Sequence, residues 1–335
     1  MPNKTIEVPA ADFIPVKTHT TKWHALRKNG IGGSDAGAVL GINRYSSPLD
    51  VWLEKTGRRE PADLSDNEKV YWGSMLEDSI AKAYLAHKPQ RQGMKLIQPK
   101  GLYVSKLWPW MVANVDRLIY QSSTGEYDGI LEVKTAGSDA GWFDEEGNET
   151  IPDSYLAQVL HYLAVTGLEW AVIVCLIAGQ RYIERLVLRD EYAQDIDHLI
   201  EREREFWFCY VQEEVMPALI GNEDEGAALF AMYPEGADIK LMDDEAEELC
   251  KIYNRFHEIE KAAALDKQAA ANKLRLWLGK AKGSKSETVS VTWKRFDKAY
   301  FDKKKFEHEW PELAAQYTSK RPHDGGLLVT VKEGN

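Results

Sequence analysis

Two carboxylic acids and a lysine, Asp116, Glu132 and Lys134, stand out as residues that can do chemistry together. They lie in a stretch from Asn114 to Thr135. Val115, Leu118 and Ile119 on one side of a polar turn, and Ile130, Leu131 and Val133 on the other, are strand formers. Gly125 breaks the run, so a hairpin or two adjacent strands is expected. Residues two apart in a strand share a face, which puts Glu132 and Lys134 together and Leu131 and Val133 opposite them. With Leu131 and Val133 on a core, the carboxylate and ammonium are expected at the strand's outer end, within reach of Asp116. Paired carboxylates bind a hard cation such as Mg²⁺ through oxygen, and a lysine beside them can hold or polarise an attacking water. In outline this is a constellation for metal-dependent phosphodiester cleavage. An Asp, a Glu-Val-Lys strand and a turn also occur in sheets without such chemistry, so the stretch alone leaves both readings open.

The elements around it are legible from periodicity and punctuation. Residues 1 to about 20 read as an irregular lead-in. Trp23, Leu26 and Arg27 belong to a short helix ending near Asn29-Gly30. A Gly-rich turn follows, with Ser34 or Asp35 as N-cap of a helix to Leu40. Free N–H groups there, with the Ser34 hydroxyl and Arg27, are suited to a phosphate; an ordinary capped helix is the alternative. Residues 48–55 form another helix, ended at Gly57. The stripe Val70, Leu76, Ile80, Ala83 and Tyr84 predicts a longer helix from Asn67 to His87. Glu77 sits near that stripe, either solvated or turned toward a metal.

Strands are expected around 101–105 and 108–113, leading into the hairpin. Residues 137–153 read as a mobile polar loop. Tyr155 to Thr166 is helical, with Leu156, Val159, Leu160 and Leu163 buried and with Gln158 and Tyr162, four apart, on one face. Ala171 to Ala178 is an apolar central strand, Tyr182 to Leu188 its antiparallel neighbour, and Asp190 to Leu219 a long acidic helix. The order predicts an α/β core, a central mixed β-sheet flanked by helices.

Past about residue 220 the texture changes, so domains of 1–220 and 221–335 are expected. Leu249, Ile252, Phe256, Ile259 and Ala263 give a helix over 242 to about 280, with a narrow seam for a partner helix, internal or in another subunit. From Lys261 to Arg321 there are 15 Lys plus Arg against 7 Asp plus Glu; from Asp190 to Glu260 there are 5 against 21. The basic part is interspersed with Trp277, Trp293, Phe296, Tyr300, Phe301 and Tyr317. That mixture suits a nucleic-acid groove, and equally a small module with strands at 289–293 and 327–331.

Composition sets the outer limits. The 335 residues are 44% hydrophobic and 28% charged, with ample length for a core and no apolar run of membrane-spanning length. A net charge of −11 argues against indiscriminate coating of nucleic acid but not against a local basic track. Cys175, Cys209 and Cys250 read as reduced, buried residues. With no apolar signal core at the N-terminus, they predict a cytoplasmic protein.

Taken together, five segments in order resemble the YqaJ-type phage recombinase nucleases, relatives of lambda exonuclease in the PD-(D/E)XK superfamily. They are Trp23, His24, Leu26 and Arg27 followed by Ser34; Trp72, Gly73 and Glu77; Asn114, Val115 and Asp116; Glu132, Val133 and Lys134; and Tyr155, Ala157 and Gln158. The resemblance covers about residues 20 to 210. Val115 stands where the superfamily motif has Pro, Asn114 where the lambda enzyme has Ser, and Leu160 where it has a second Gln.

The resemblance implies a restriction-endonuclease-like core. It implies that Asp116, Glu132 and the Val133 carbonyl ligate Mg²⁺ or Mn²⁺, with Glu77 contributing directly or through water, and that Lys134 activates or orients the water. Arg27, Ser34, Asn114 and Gln158 fall on positions that recognise a 5′-terminal phosphate. The implied activity is a 5′ to 3′ exonuclease on linear double-stranded DNA. It leaves 3′ single strands for a phage-type single-strand annealing protein, and the lambda relative implies a trimer. Gln158 and Tyr162 also match a Gln-x-x-x-Tyr pattern of related nucleases, which keeps an endonuclease or single-strand exonuclease open. A non-catalytic DNA-end or annealase-binding module is the remaining alternative.

Overall fold

The computed structural model describes residues 6–61, 66–121, 124–221, 223–233, 239–319 and 328–331. The chain divides into two compact units, Met1–Ala231 and Met232–Asn335.

The first unit is built on a five-stranded mixed sheet: β3 (Met94–Ile97), β6 (Arg117–Gln121), β7 (Glu126–Ala136), β8 (Trp170–Ile177) and β9 (Arg181–Leu188), in that spatial order. β6 and β7 form the expected antiparallel hairpin, with a register shift at Ile119/Tyr120. β7 and β8 are parallel, and parallel neighbours need a crossover. That crossover is α5 (Asp153–Thr166), closed by Gly167 at φ 72°.

A second sheet was not foreseen in the sequence. It has four strands in the order β1 (Ala11–Pro15), β4 (Gly101–Ser105), β5 (Met111–Ala113) and β2 (Ile31–Gly32). The stretch read as an irregular lead-in therefore contains an edge strand, paired antiparallel with β4. Because β1 and β2 are short, neither carries enough alternation to be told from a loop.

α5 touches β8 of one sheet and β4 and β5 of the other. A helix covered on several sides is apolar around most of its circumference, and Ala157 and every residue from Val159 to Thr166 are buried. The opposite face of the five-stranded sheet is covered by α4 (Glu68–His87), which starts at an Asn67 cap. Ile80, Ala81 and Tyr84 of α4 pack on Ile119, Leu131, Val133, Val172 and Val174. The first half of the expected α4 stripe is not buried: Val70 is 43% exposed.

Shorter helices complete the unit. α1 (Thr21–Lys28), α2 (Gly33–Val39) and α3 (Pro48–Lys55) come first, α3 opening on a Ser47/Asp50 capping box. α6 (Ala193–Glu205) runs into a π-helical turn at Phe206–Gln212, so the helix expected to reach Leu219 stops early. In that turn Cys209 is exposed, contrary to expectation, while Cys175 is buried. The loop after β7 is irregular, yet Trp142 within it is 1% exposed and packs near Tyr155. α7 (Glu223–Met232) begins where the Glu225 carboxylate accepts the N–H groups of Ile220 and Gly221.

In the second unit the seam helix is α8 (Asp244–Leu278). A two-stranded ribbon follows, β10 (Gly283–Lys285) with β11 (Ser290–Thr292), then α9 (Lys303–Glu309) and α10 (Pro311–Gln316). The strand expected at 327–331 is not formed over 328–331, and Leu327 lies outside the described residues. No helix of the described residues is long and apolar enough to cross a membrane.

Candidate active site

The ladder between β6 and β7 ends at the Arg117–Leu131 pair. Just beyond it the two strands part, and the Asp116 carboxylate takes over: its Oδ2 accepts the Val133 backbone N–H at 2.9 Å. Leu131 and Val133 face α4 as expected. Glu132 and Lys134 face the other way, but not toward solvent. That side of β7 is covered by α5, and Glu132 is 1% exposed. The outer-end placement expected from the alternation is thus corrected to an interior one, because a helix lies over both faces of the strand.

Burial forces the polar groups to find partners. Glu132 Oε1 accepts from Lys134 Nζ at 2.7 Å and from Gln158 Nε2 at 2.8 Å. Lys134 also donates to Gln158 Oε1 at 2.9 Å and lies over the Tyr155 ring. Gln158 Nε2 is 2.9 Å from Tyr162 Oη, which donates to the Asn114 carbonyl at 3.1 Å. One face of α5 thereby locks the Glu132–Lys134 pair to the segment leading into Asp116. The remaining oxygen, Glu132 Oε2, is buried without a hydrogen-bond partner.

Two acids held this close repel. Burial and the Glu132 charge push the Asp116 carboxyl up to about 7. Burial alone would lower the Lys134 ammonium, but Glu132 and Asp116 outweigh it and hold it above its ordinary value. Burial and Glu132 raise the Tyr162 hydroxyl well above its usual range, so it stays a donor. Glu77, from α4, is raised by burial and by Asp116; its Oε1 accepts from Arg117 at 2.5 Å.

The other half of the cleft comes from α1 and α2. Arg27 Nη2 donates to Ser34 Oγ at 2.6 Å. Neither Ser34 nor Asp35 is the N-cap: that position is Gly32, and the Asp35 side chain at the third helical residue accepts the Gly32 N–H at 2.9 Å. One of the amides expected to be free for a phosphate is therefore already used. Asn114 offers its Oδ1 to Trp23 Nε1 at 2.9 Å. Gly33 is required by packing, since a Cβ there would lie 2.4 Å from the Tyr162 ring.

Arg27, Ser34, Glu77, Asn114, Asp116, Glu132, Val133, Lys134 and Gln158 all line one cleft of about 490 Å³. Sequence reasoning missed Arg117, Asp35 and Lys55 as their supports. The Ser47-x-x-Asp50 capping box marks where α3 begins, but neither Lys55 nor Arg117 carried a local signal of its partner. It also missed His161, buried between Glu203 and the Val112 carbonyl.

The donor set fits a hard divalent cation. Glu132 Oε2 is an orphaned buried carboxylate oxygen beside a second carboxylate whose ionisation is opposed by burial and by the Glu132 charge, a penalty that a bound cation would offset. Among the described residues no three His, Cys, Asp or Glu side chains are gathered for a metal. Glu77 lines the same cleft, feels the Asp116 charge and is held by Arg117.

Comparison with known proteins bears on the family. The profile of the YqaJ-like viral recombinase domain matches residues 22–169. Uncharacterized protein YqaJ of Bacillus subtilis (strain 168) is 33% identical over 298 residues, covering 87% of this chain and 88% of that protein. Among solved structures, the alkaline exonuclease LHK-Exo of Laribacter hongkongensis overlaps at TM-score 0.43 and 15% identity, over 63% of this chain and 100% of that one. A phage-related exonuclease of Haemophilus somnus 129PT overlaps at TM-score 0.38 and 12% identity, over 57% and 99%. Neither structural overlap is close enough to carry weight for fold or activity. The sequence match extends through both units and includes every residue of the cleft named above, and on that ground the chain belongs to the YqaJ-like viral recombinase family.

Proposed function

We propose that the chain is a metal-dependent deoxyribonuclease that degrades linear double-stranded DNA from its ends, 5′ to 3′. The single observation that supports this best is the meeting, in one cleft, of an acid pair with a partnerless buried oxygen and of a hydrogen-bonded Arg27–Ser34 pair. Asp116, Glu132 and the Val133 carbonyl are the groups to hold Mg²⁺ or Mn²⁺. Bound there, the cation supplies charge neutralisation at the scissile phosphate and a lower pKa for water.

The chain's own residues do the rest. Lys134, fixed by Glu132 and Gln158, presents a positive charge where the phosphorane develops and orients the attacking water. Arg27 and Ser34 grip a terminal phosphate through charge-assisted hydrogen bonds, with Gln158 and Asn114 lining the same cleft. A phosphate held at a fixed distance from Asp116 sets the cleavage position by geometry instead of base identity, so digestion is sequence-independent. Glu77, held by Arg117, contributes to the cation directly or through water.

In the same reading the 3′ single strand left behind is handed to a phage-type single-strand annealing protein, the working form is a homo-oligomer such as a trimer, and residues 222–335 clamp DNA or that partner. Purified protein with Mg²⁺ is incubated with linear duplex, 5′-phosphorylated or not, beside closed circular DNA, with one end labelled. Loss of the 5′-labelled strand end from linear DNA only, faster with a phosphate, is the expected result. Equal degradation of closed circles makes the enzyme an endonuclease, and no cleavage of any DNA leaves a binding module. Deleting residues 222–335 should weaken DNA or partner binding before it alters cleavage at saturating DNA.

A further inference from the structure

Asp35 stands among four donors, three of them on residues around the anion pocket. Its Oδ2 accepts the Gly32 amide at 2.9 Å and pairs with Lys55 Nζ at 2.6 Å. Its Oδ1 lies 3.2 Å from Arg27 Nη2 and 3.5 Å from Ser34 Oγ. Lys55 also donates to the Arg27 backbone carbonyl at 2.9 Å. The same acid–lysine pair therefore holds both the backbone and the guanidinium of Arg27.

Exposure separates the three charges. The Lys55 side chain is 5% exposed and that of Asp35 12%, against 26% for Arg27. The pair is withdrawn, and the arginine alone reaches the cleft. Helix capping does not require this arrangement: the Asp35–Gly32 hydrogen bond caps α2 without any help from Lys55, which comes from α3. Two more contacts restrict the guanidinium. It lies 5.0 Å from the Trp23 ring centroid, and Gly32 leaves it room, since a Cβ there would stand 3.2 Å from Nη2. An unrestrained arginine side chain gives up considerable rotamer entropy on gripping an anion, and one held in advance gives up less.

We infer that Asp35 and Lys55 are positioning residues for the phosphate pocket: Asp35 aims Arg27 at a terminal phosphate beside Ser34, and Lys55 neutralises Asp35 so that Arg27 keeps its net attraction for the anion. The inference rests on the end-phosphate reading of Arg27 and Ser34 proposed above.

The test compares binding of a short duplex with 5′-phosphoryl or 5′-hydroxyl ends, by fluorescence anisotropy on the full chain in chelator, for wild type and for Arg27→Gln, Asp35→Asn and Lys55→Met. The readout is the ratio of the two affinities, which a general loss of stability does not move. Wild type is expected to favour the phosphoryl end by about tenfold, and Arg27→Gln to abolish that preference. Asp35→Asn is expected to lose most of the preference while binding the hydroxyl duplex as before, and Lys55→Met to lose it likewise. Circular dichroism checks the fold of each, and Lys55→Met decides if Asp35→Asn does not fold. A full preference in the folded position-35 and position-55 variants, with Arg27→Gln abolishing it, overturns the positioning role. No preference in wild type overturns the end-phosphate reading instead.

Discussion

Asp116 Oδ2 accepts the Val133 amide at 2.9 Å at the point where β6 and β7 part. One carboxylate thus both terminates a strand ladder and forms half of the acid pair. The two duties oppose each other, because the geometry that satisfies the amide brings Asp116 close to Glu132.

The opposition has a measurable sign in the metal-free protein. The Asp116 carboxyl rises from 3.8 to about 7 on folding. Between those values the folded state holds a proton that the unfolded chain has released, so stability falls as pH rises through this window. Asp116→Asn keeps an acceptor for the Val133 amide and removes the charge. In chelator its melting temperature is expected to exceed that of wild type at pH 8 by about 5 °C and to match it near pH 4. Equal melting temperatures at pH 8 would contradict the repulsion.

Lys134→Met preserves most of the side-chain volume and removes the ammonium that joins Glu132 to Gln158. Cleavage of linear duplex with Mg²⁺ should fall by about 10²–10³-fold, the scale of losing one preorganised charge. Duplex affinity in chelator should stay within about twofold, since Lys134 is not in the Arg27–Ser34 pocket. A similar loss in both measurements would make Lys134 a binding residue.

Gly33→Ala places a methyl 2.4 Å from the Tyr162 ring, which is buried and anchored through its hydroxyl. Overpacking of this kind costs about 1–3 kcal/mol. Denaturant unfolding should show that loss, with slower cleavage as Tyr162 moves away from Gln158. Gly137→Ala, where an added Cβ meets nothing within 4 Å, serves as the control and should stay within about 0.5 kcal/mol of wild type.

His161 faces two acceptors, Glu203 at 2.8 Å and the Val112 carbonyl at 3.0 Å, and all of it is buried. Burial alone would lower the imidazole; Glu203 outweighs it and holds the ring above its ordinary 6.5. Its contribution is complete below pH 6.5 and is lost as pH rises through the folded value. Burial also raises Glu203, whose ionisation costs more as pH climbs above 4.5. His161→Gln should therefore cost about 3 kcal/mol at pH 6, by urea unfolding, with a smaller deficit at pH 9. A deficit independent of pH would show that the pair contributes only shape.

The parts of the fold that the sequence made legible are those with strong local periodicity. β7, α4, α5, β8 and α8 all lie within a few residues of their expected bounds. The second sheet was hidden because β1 and β2 are too short to show alternation, and pairing between residues 11–15 and 101–105 leaves no local trace. In the cleft, Glu132 and Lys134 were found through strand spacing, whereas Gln158 was assigned to the site by the family resemblance. Asp35 was assigned to the wrong capping position because Ser, Asp and Gly in a row offer three starts for one helix. Arg117 and Lys55 were missed since a lone cation shows its partner only once the chain is folded. Glu132 was placed outside because alternation identifies two faces of a strand but not what covers each.

The order in which the cleft's residues are synthesised has a consequence of its own. Arg27 and Ser34 leave the ribosome early, the acid pair follows about a hundred residues later, and Gln158 and Tyr162 come last, on the crossover that joins β7 to β8. The Glu132–Lys134 half of the cleft is incomplete until α5 brings Gln158 to it. A prematurely terminated chain lacking that helix carries every acid of the site without the Gln158 and Tyr162 hydrogen bonds that hold Glu132, Lys134 and the Asn114 segment together.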